Sequence, residues 1–304
     1  MTSPLTSRQT LSFLLHRFRE TGIRPKTRFG QNFLIDLNLL EVLLEGAAIT
    51  RNDVVLEVGT GTGSLTVRLA ERAAAVVTVE VDPKMFQLAG EELHRVNNVV
   101  MLHVDALKNK NRLNPTVLET VRTQLAAAPG RRFKLVANLP YNIATPIVSN
   151  LLTEDAPPQT MTVTIQKELA ERITARPGSE HYGALSIWVQ AQCRAEILRI
   201  LPPAAFWPRP KVSSAFLQLT LDEALRGRIA DRAFFHEFVR AMFCHRRKFL
   251  RSELLSAVKG RLDKPRVDAI LAQLNLPGTL RAESLGVEQM LALCDAVRAA
   301  TEAA

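Results

Sequence analysis

The sequence predicts an α/β protein, in which an open sheet of parallel strands is followed by a small all-helical C-terminal domain. Short Val-rich apolar runs alternate with helical patterns through the middle of the chain, and a glycine-rich segment follows the first run. From residue 222 onward the pattern is helical, with no further strand candidate. The length of 304 residues fits about two domains and is enough for a sizeable core.

Five apolar runs supply the predicted parallel strands, because Val-rich runs of this length are typical of strands buried on both faces. They span residues 54–58, 76–80, 99–104, 133–137 and 161–165. Two further strands are expected at 194–201 and 214–221. We therefore expect an N-terminal arm or helix over 1–24, an α/β domain over 25–222 and a helical domain over 223–304.

The composition excludes several classes of protein. With 47% hydrophobic and 23% charged residues, the chain differs from disordered, collagen-like and disulfide-scaffold proteins. It contains no uninterrupted apolar window of about 18 residues, so no membrane span is predicted. The three cysteines, at positions 193, 244 and 294, are too few and too scattered for a disulfide framework or a zinc site. They indicate a reducing compartment, the cytoplasm.

The net charge of +9 is concentrated at the two ends of the chain. Residues 1–30 carry 6 basic residues against 1 acidic residue, and residues 204–304 carry 16 against 11. Residues 31–203 carry 17 against 18. A nearly neutral body with basic ends suggests a polyanionic partner such as nucleic acid. A generic solubilising surface charge is the alternative.

Residues 1–24 allow three interpretations. Leu11, Leu14, Leu15 and Phe18 recur at helical spacing, which favours a short amphipathic helix packed on the body. A frayed arm is the second interpretation. The segment also resembles a mitochondrial transit peptide, because it is amphipathic and Arg-bearing with a single acidic residue.

Gly59, Gly61 and Gly63 follow the first predicted strand and precede a helical pattern. Such a loop lets the backbone approach a ligand closely, and the helix N-terminus offers free N–H groups. The third glycine of a dinucleotide-binding motif would fall at position 64, which is Ser64. The loop therefore favours S-adenosylmethionine over NAD as the ligand, with a plain tight turn as the alternative.

Acidic residues follow the second and third predicted strands. Glu80 comes 21 residues after Gly59, the spacing at which an acid commonly accepts both ribose hydroxyls of an adenosine. Asp105 can accept from an adenine amino group, with an ordinary helix N-cap as an equal alternative. Because ligands bind beyond the carboxyl ends of the strands in such sheets, these residues predict a nucleoside site.

The fourth predicted strand ends in Asn138-Leu139-Pro140-Tyr141. The exocyclic amine of a base is a poor nucleophile, because its lone pair is delocalised into the ring. The side-chain oxygen of Asn138 and the carbonyl of Pro140 can accept from its N–H bonds, which favours the pyramidal nitrogen that attacks a methyl group. Tyr141 can stack on the base. The alternative is an Asn-x-Pro turn with a tyrosine that fills the core.

Five segments of the chain match one known family: residues 29–34 (FGQNFL), 59–63 (GTGTG), 138–141 (NLPY), 206–212 (FWPRPKV) and 245–251 (HRRKFLR). They resemble the ribosomal RNA adenine N6,N6-dimethyltransferases, in particular the bacterial small-subunit enzymes of the kasugamycin-resistance type. The resemblance runs from about Arg28 to about Leu285. It implies a Rossmann-like, S-adenosylmethionine-dependent methyltransferase sheet with a helical RNA-binding domain.

The resemblance also implies an activity and residue roles. The family transfers two methyl groups to each of two adjacent adenosines in a hairpin near the 3′ end of small-subunit (16S) rRNA. The methyl donor would contact Asn32, Leu34, Gly59, Gly61, Glu80, Asp105 and Asn138. The target adenine would lie against Asn138, Pro140, Tyr141 and Phe206. No metal is implied; the expected partner is rRNA in an immature 30S particle, and the expected state is a monomer.

The chain departs from the family pattern at a few positions. Thr60 stands where the family often has Pro, and Ser213 stands where it usually has Asp. Cys244 and His245 replace the more usual Asn-Gln. Ser213, Cys244 and His245 belong to the side of the molecule that is expected to face RNA.

Residues 231–256 carry a basic pattern of their own. As one helix, they would place Arg240, Arg247 and Arg251 within about 40° of one another, opposite an apolar stripe. Arg246 would project into the stripe and is expected to be structural. The loop at 206–212 adds aromatic and basic groups that suit a flipped base. The predicted RNA contacts are Arg209, Lys211, Arg240, Arg247, Lys248 and Arg251, with a solvated charged face as the alternative.

Two other functions share this fold. The first is a ribosome-assembly or mitochondrial transcription factor that binds nucleic acid without methylating it, and the intact residues 138–141 with Glu80 argue against it. The second is a large-subunit rRNA methyltransferase of the macrolide-resistance type. The basic run at 246–248 and the motif at 28–34 favour the small-subunit type.

Overall fold

The computed structural model describes residues 11–26, 29–245 and 247–302. Its helices are α1 (Leu11–Glu20), α2 (Leu37–Ala47), α3 (Ser64–Ala70), α4 (Pro83–Leu93), α5 (Pro115–Ala126), α6 (Ala144–Leu151), α7 (Lys167–Thr174), α8 (Ala184–Gln190), α9 (Glu223–Arg226), α10 (Arg232–Met242), α11 (Leu250–Ala257), α12 (Lys264–Gln273) and α13 (Val287–Glu302). Its strands are β1 (Phe33–Leu34), β2 (Asp53–Val58), β3 (Ala75–Val79), β4 (Val99–Leu102), β5 (Leu107–Asn109), β6 (Arg112–Leu113), β7 (Arg132–Asn138), β8 (Thr160–Gln166), β9 (Cys193–Leu201), β10 (Phe206–Trp207) and β11 (Ser214–Leu221). Arg28 and Arg246 lie outside the described residues, so the structural role expected of Arg246 stays a prediction.

The central sheet, within the described residues, has seven strands in the order β4-β3-β2-β7-β8-β11-β9. The strands from β4 to β8 pair in parallel, and β11 joins β8 antiparallel. The residues of β2 and β3 are buried along their whole length, as the continuous apolar runs require. The predicted strands are all confirmed, and the five Val-rich runs are the parallel ones.

The strand order places a ligand crevice between β2 and β7. From β2 the chain proceeds outward to β3 and β4, and it then returns to the other side of β2 to form β7 and β8. This reversal is a topological switch point, where open α/β sheets bind ligands beyond the carboxyl ends of the strands. Residues 59–63 and 138–141 follow these two neighbouring strands.

The N-terminal helix α1 packs on the same side of the molecule as α4. Leu14 and Phe18 are buried in a cluster with Ile23 and with Met85 and Leu88 of α4. Residues 11–20 thus form a helix that packs on the body, which is the first of the three interpretations. The described part of this segment begins at residue 11.

The chain divides into two compact units. The first contains the described residues up to Ala170 together with Glu196–Thr220, and the second contains Glu171–Ala195 together with the described residues from Leu221 onward. The predicted limits left residues 171–195 with the sheet, whereas in the structure α8 packs on α10 and α13.

A buried aromatic group anchors α8 within the second unit. The Trp188 ring lies 4.4 Å from the His236 ring, and the Tyr182 hydroxyl donates to the Leu285 carbonyl at 2.9 Å. These contacts join the segment before and within α8 to the C-terminal helices of the same unit.

The single helix expected over residues 231–256 is wrong. α10 ends at Met242, and α11 begins at Leu250 after Phe249 adopts an extended conformation. The backbone N–H of His245 donates to the buried carboxylate of Glu253, at 3.0 Å, instead of continuing the helix. No Gly or Pro marks this interruption in the sequence.

Candidate active site

A cavity lies at the carboxyl ends of β2, β3, β4 and β7, within the first unit. Its lining includes Phe29, Gly30, Gln31, Asn32, Phe33, Gly59, Gly61, Glu80, Val81, Asp105, Ala106, Asn138 and Pro140. Every predicted donor-site residue except Leu34 therefore lines one cavity. The sheet topology causes this convergence, because parallel strand ends meet at one edge.

The glycine loop forms one wall of the cavity. Gly59 and Gly61 have φ angles of +88° and +57°, a region that side-chain-bearing residues rarely adopt. A Cβ on Gly61 would lie 3.2 Å from the ring of Phe33, and a Cβ on Gly59 would lie 3.4 Å from Pro140. This cradle of bare backbone leaves the room that an elongated nucleoside such as S-adenosylmethionine needs for close approach.

A chain of buried hydrogen bonds lies beneath the glycine loop. The hydroxyls of Thr66 and Thr78 each donate to Oε2 of Glu57 at 2.6 Å, and Thr60 Oγ1 lies 2.7 Å from Thr78 Oγ1. Burial raises the pKa of Glu57 to about 8, against the effect of the two threonine hydrogen bonds, and the charge of Glu80 raises it further. Thr60, a departure from the family pattern, thus ties the loop to β2 and β3.

Glu80 presents its carboxylate just past the end of β3. Its Oε2 accepts from the backbone N–H of Gly61 at 3.0 Å, and its Oε1 accepts from the backbone N–H of Asp82 at 2.9 Å. Burial raises its pKa, and these backbone hydrogen bonds oppose the rise. Each oxygen keeps a second lone pair, so the carboxylate can also accept from a ribose hydroxyl.

Asp105 lines the cavity beyond the end of β4. Its Oδ1 accepts from the backbone N–H of Leu107 at 2.9 Å, and its carbonyl accepts from the side chain of Asn114 at 2.9 Å. The residue leads into β5, so the alternative of a helix N-cap is not what the structure shows. The residue is exposed, and its second carboxylate oxygen suits an amino group of a bound purine.

Asn138 and Pro140 lie where the cavity meets the end of β7. The side-chain amide of Asn138 donates to the carbonyl of Asn32 at 2.8 Å, which fixes Nδ2 as the occupied donor and Oδ1 as the acceptor end. The carbonyl of Pro140 accepts from the backbone N–H of Ile143 at 3.0 Å. A carbonyl oxygen has two lone pairs, so this turn leaves Pro140 able to accept one more hydrogen bond.

Tyr141 follows this pair and does not line the cavity itself. Its hydroxyl lies 2.5 Å from Ser214 Oγ, and burial raises the pKa of the phenol, while the Ser214 hydrogen bond lowers it. The ring is half-buried. The tether to Ser214 fixes the ring beside the residues that face the cavity.

Leu34 and Phe206 occupy other positions. They are cross-strand partners in the two-residue ribbon β1–β10, and both pack in the core that α2 shares with the sheet. Phe206 is 2% exposed, so its side chain is not available to a base in this structure. The aromatic wall expected from Phe206 is therefore not present.

Several lining residues were not assigned from the sequence. Phe29, Gly30, Gln31 and Phe33 line the cavity together with Asn32. They belong to the 29–34 motif, in which the resemblance implies a donor contact only for Asn32 and Leu34. Alternation does not identify them, because the segment is irregular before β1.

The predicted RNA contacts fall into both units. Arg209 and Lys211 are exposed in the loop between β10 and β11 of the first unit. In the second unit Arg240, Arg247 and Lys248 are exposed.

Arg251 differs from the exposed cations of its unit. It forms a two-bond ion pair with Asp268, at 2.6 and 2.9 Å. The ridge expected from a single helix does not form, because Arg240 and Arg251 belong to different helices.

A search of the described residues finds no group of three or more His, Cys, Asp or Glu side chains that could hold a metal ion. None of the helices in the described ranges combines the length and the apolar character that crossing a membrane requires.

A family model described as ribosomal RNA adenine dimethylase matches residues 22–293. The "Ribosomal RNA small subunit methyltransferase A" of Clostridium botulinum (strain Langeland) is 39% identical over 88% of this chain and 92% of its own length. The protein of the same name from Oceanobacillus iheyensis is 36% identical over 87% of both chains. Both relatives are thus covered over nearly their whole length.

Solved structures have the same fold. A dimethyladenosine transferase from Plasmodium falciparum has a TM-score of 0.70 with 24% identity, over 85% of this chain and 94% of its own. The 23S rRNA methyltransferase ErmE has a TM-score of 0.60 with 25% identity, over 88% of this chain and 100% of its own. The first likeness supports the α/β sheet with its added helices as the fold.

Proposed function

This chain belongs to the ribosomal RNA adenine dimethylase family, and we propose that it dimethylates two adjacent adenosines in a hairpin near the 3′ end of small-subunit rRNA. It is an S-adenosylmethionine-dependent adenine N6,N6-dimethyltransferase, the activity of that family. The names and the coverage of the bacterial relatives support the small-subunit rRNA as the substrate.

One observation carries the assignment of the reacting centre. Asn138 Oδ1 and the Pro140 carbonyl are two acceptors at one edge of a cavity whose other walls hold the glycine loop and Glu80. The carbonyl of Asn32 accepts a hydrogen bond from the side-chain amide of Asn138, so the Asn138 side chain is oriented before any substrate binds. Pre-oriented dipoles need no reorganisation when charge develops, which is the main advantage of such sites.

The cavity residues divide the work between the two substrates. Glu80 binds the ribose of the methyl donor, and Asp105 binds the amino group of the donor's purine. The glycine loop leaves space for the rest of the donor. When bound, S-adenosylmethionine supplies an electrophilic methyl group on a positively charged sulfur. Asn138 Oδ1 and the Pro140 carbonyl accept from the N–H bonds of the adenine amine and favour a localised lone pair on its nitrogen.

The remaining residues hold the base in place. The Tyr141 ring, tethered through Ser214, stacks on the extruded adenine. Alignment of the amine with the methyl group supplies much of the rate enhancement, because it converts an encounter into an intramolecular step. We assign no part in base contact to Phe206.

The wider setting is part of the same proposal. The exposed cations Arg209, Lys211, Arg240, Arg247 and Lys248 contact rRNA phosphates, and the enzyme acts as a monomer on an immature 30S particle in the cytoplasm. The charge excess of the C-terminal part supports a polyanionic partner, since phosphate contacts depend mainly on Lys and Arg.

The experiment that tests the function measures labelled-methyl transfer to undermethylated 30S particles and to 23S RNA. Wild type is expected to methylate the 30S particles, and Asn138→Ala to lose at least about 100-fold in kcat, because it removes a pre-oriented acceptor. Asn98→Ala is the matched control. Asn98 also donates through its amide, to the carbonyls of Ala70 and Ala73, but it lies at the amino end of β4.

The alternatives give different outcomes in the same assay. Transfer to 23S RNA alone would assign the chain to the large-subunit type, to which ErmE belongs by its name. Binding of 30S particles without transfer to either RNA would support a role in assembly. Equal losses in Asn98→Ala and Asn138→Ala would remove the assignment of Asn138.

A further inference from the structure

Residues 29–34 form one side of the donor cavity, and this segment contains little regular secondary structure. Its only strand, β1, pairs with β10 through two residues, Phe33 opposite Trp207 and Leu34 opposite Phe206. A two-stranded ribbon of this length is not stable alone in water. Its position must therefore be fixed by packing from outside.

Two contacts make this ribbon important for the cavity. The ring of Phe33 lies against Gly61, close enough that a Cβ there would be 3.2 Å from it. The carbonyl of Asn32, one residue earlier, accepts from the Asn138 amide at 2.8 Å. A shift of β1 would thus disturb the glycine loop and the acceptor side chain together.

Leu34 and Phe206 pack in the core that α2 shares with the sheet, whereas Phe33 and Trp207 pack on helix α1. Phe18 is 3% exposed, and its ring lies 5.4 Å from the ring of Phe33, edge to face, and 5.5 Å from that of Trp207. One side chain of α1 therefore touches both strands of the ribbon. We call Phe18, Phe33 and Trp207 the aromatic brace. Such ring pairs stabilise a contact beyond the burial of their apolar area.

Polar contacts join the same segment to the body. Arg17 pairs with Glu91 at 3.0 Å on the exposed side of α4, a surface pair that contributes little. Lys26 Nζ lies 3.1 Å from Asp82, whose backbone N–H in turn donates to Glu80. The aromatic brace is consequently the main contact that α1 makes with the ribbon, and the Lys26 pair adds a link toward Glu80.

We propose that α1 is a positioning element of the methyl-donor site, in which Phe18 holds the β1–β10 ribbon against Gly61 and Asn138. The inference rests on the proposed donor site. It gives residues 11–23 a role in donor binding that neither the family motifs nor the charge pattern assigns. Without the brace, the ribbon occupies its binding-competent position only part of the time.

The test measures S-adenosylmethionine binding to the full chain by calorimetry, without RNA. Phe18→Ala is expected to weaken binding by about tenfold, because the apparent Kd rises as the competent fraction falls. Saturating donor restores the competent state, so kcat at saturation stays within about twofold of wild type. Phe18→Leu, which keeps apolar volume, recovers most of the affinity.

Phe133→Ala is the matched control. Phe133 is also buried in the first unit, at 6% exposure, but it lies near the amino end of β7, whereas Asn138 ends that strand. Loss of affinity in Phe18→Ala and not in Phe133→Ala supports the proposal. Unchanged affinity in Phe18→Ala, or equal losses in both variants, overturns it. Should either alanine variant fail to fold, Phe18→Val and Phe133→Val, which remove the ring but keep a small apolar side chain, are compared by the same criterion.

The outcome separates this inference from the proposed function. If wild type itself does not bind S-adenosylmethionine, the donor site fails and the brace with it. If wild type binds and Phe18→Ala binds equally well, only the brace fails.

Discussion

The donor cavity of the first unit and the basic surface of the second unit relate to the sequence in different ways. Gly59, Glu80, Asp105 and Asn138 are separated by up to 79 positions and still line one cavity. Arg240 and Arg251 are 11 positions apart and lie on different helices. The register of a buried sheet determines where strand ends lie, whereas the place of a surface arginine depends on where its helix ends.

The buried hydrogen bonds of Glu57 beneath the glycine loop give the largest expected effect in the first unit. Glu57 has its pKa raised by burial to about 8, so between about pH 4.5 and pH 8 the folded state holds a proton that the unfolded state has lost. The free energy of unfolding then falls as pH rises through this window and levels off above it. Over the whole window the decrease is a few kcal/mol.

Glu57→Gln removes this titration. Urea unfolding at several pH values from 5 to 8 should show wild type losing stability relative to Glu57→Gln as pH rises, because glutamine stays neutral. A constant difference between wild type and Glu57→Gln across the range would mean that Glu57 is ionised in the folded protein.

Glu80→Gln tests the donor cavity itself and has the second largest expected effect. Each carboxylate oxygen accepts from one backbone N–H group, so the glutamine loses the charge and can accept only one of these two hydrogen bonds. A charge-assisted hydrogen bond contributes about 1.5–3 kcal/mol, which corresponds to about 10- to 100-fold in affinity. Calorimetry with S-adenosylmethionine should show this loss, while affinity for 30S particles stays unchanged. A loss of particle binding instead would place Glu80 in the RNA contact.

Most of the fold was predictable, because buried parallel strands are continuous Val-rich runs and their ends define the site. The sequence also placed Asn138 and Pro140 correctly at the cavity. Phe206 was misplaced because its burial comes from the pairing of Leu34 with Phe206, a tertiary contact between residues 172 positions apart. A two-residue ribbon leaves no periodicity by which such a partner could be found.

The C-terminal unit shows the limit of helical periodicity. The apolar stripe over 231–256 continues through Phe243 and Phe249, so its spacing does not reveal the interruption between α10 and α11. The interruption is stabilised by the buried Glu253 carboxylate, which accepts from the backbone N–H of His245, and by Leu250, whose N–H donates to the Leu280 carbonyl. Leu280 lies outside residues 231–256 and Glu253 lies within them, and the apolar spacing indicates neither hydrogen bond.

The smallest expected effect separates two kinds of cation in that unit. Arg247 and Lys248 are exposed, and no ion pair of either is found among the described residues. Arg251, in contrast, is paired with Asp268 through Nε and Nη2. Arg247→Ala with Lys248→Ala should lower the slope of log affinity against log salt by about 1.5–2 for binding to 30S particles, because two phosphate contacts are lost.

Arg251→Ala is the matched variant, and it should change that slope by less than about 0.5, since the Asp268 carboxylate already neutralises the guanidinium locally. Arg251→Ala combined with Asp268→Ala controls for the carboxylate that the single variant leaves unpaired. A slope change for Arg251→Ala as large as that of the Arg247 and Lys248 variant would mean that RNA displaces Asp268. The surface would then be organised by its ligand, in contrast to the donor cavity, whose acceptors are oriented before binding.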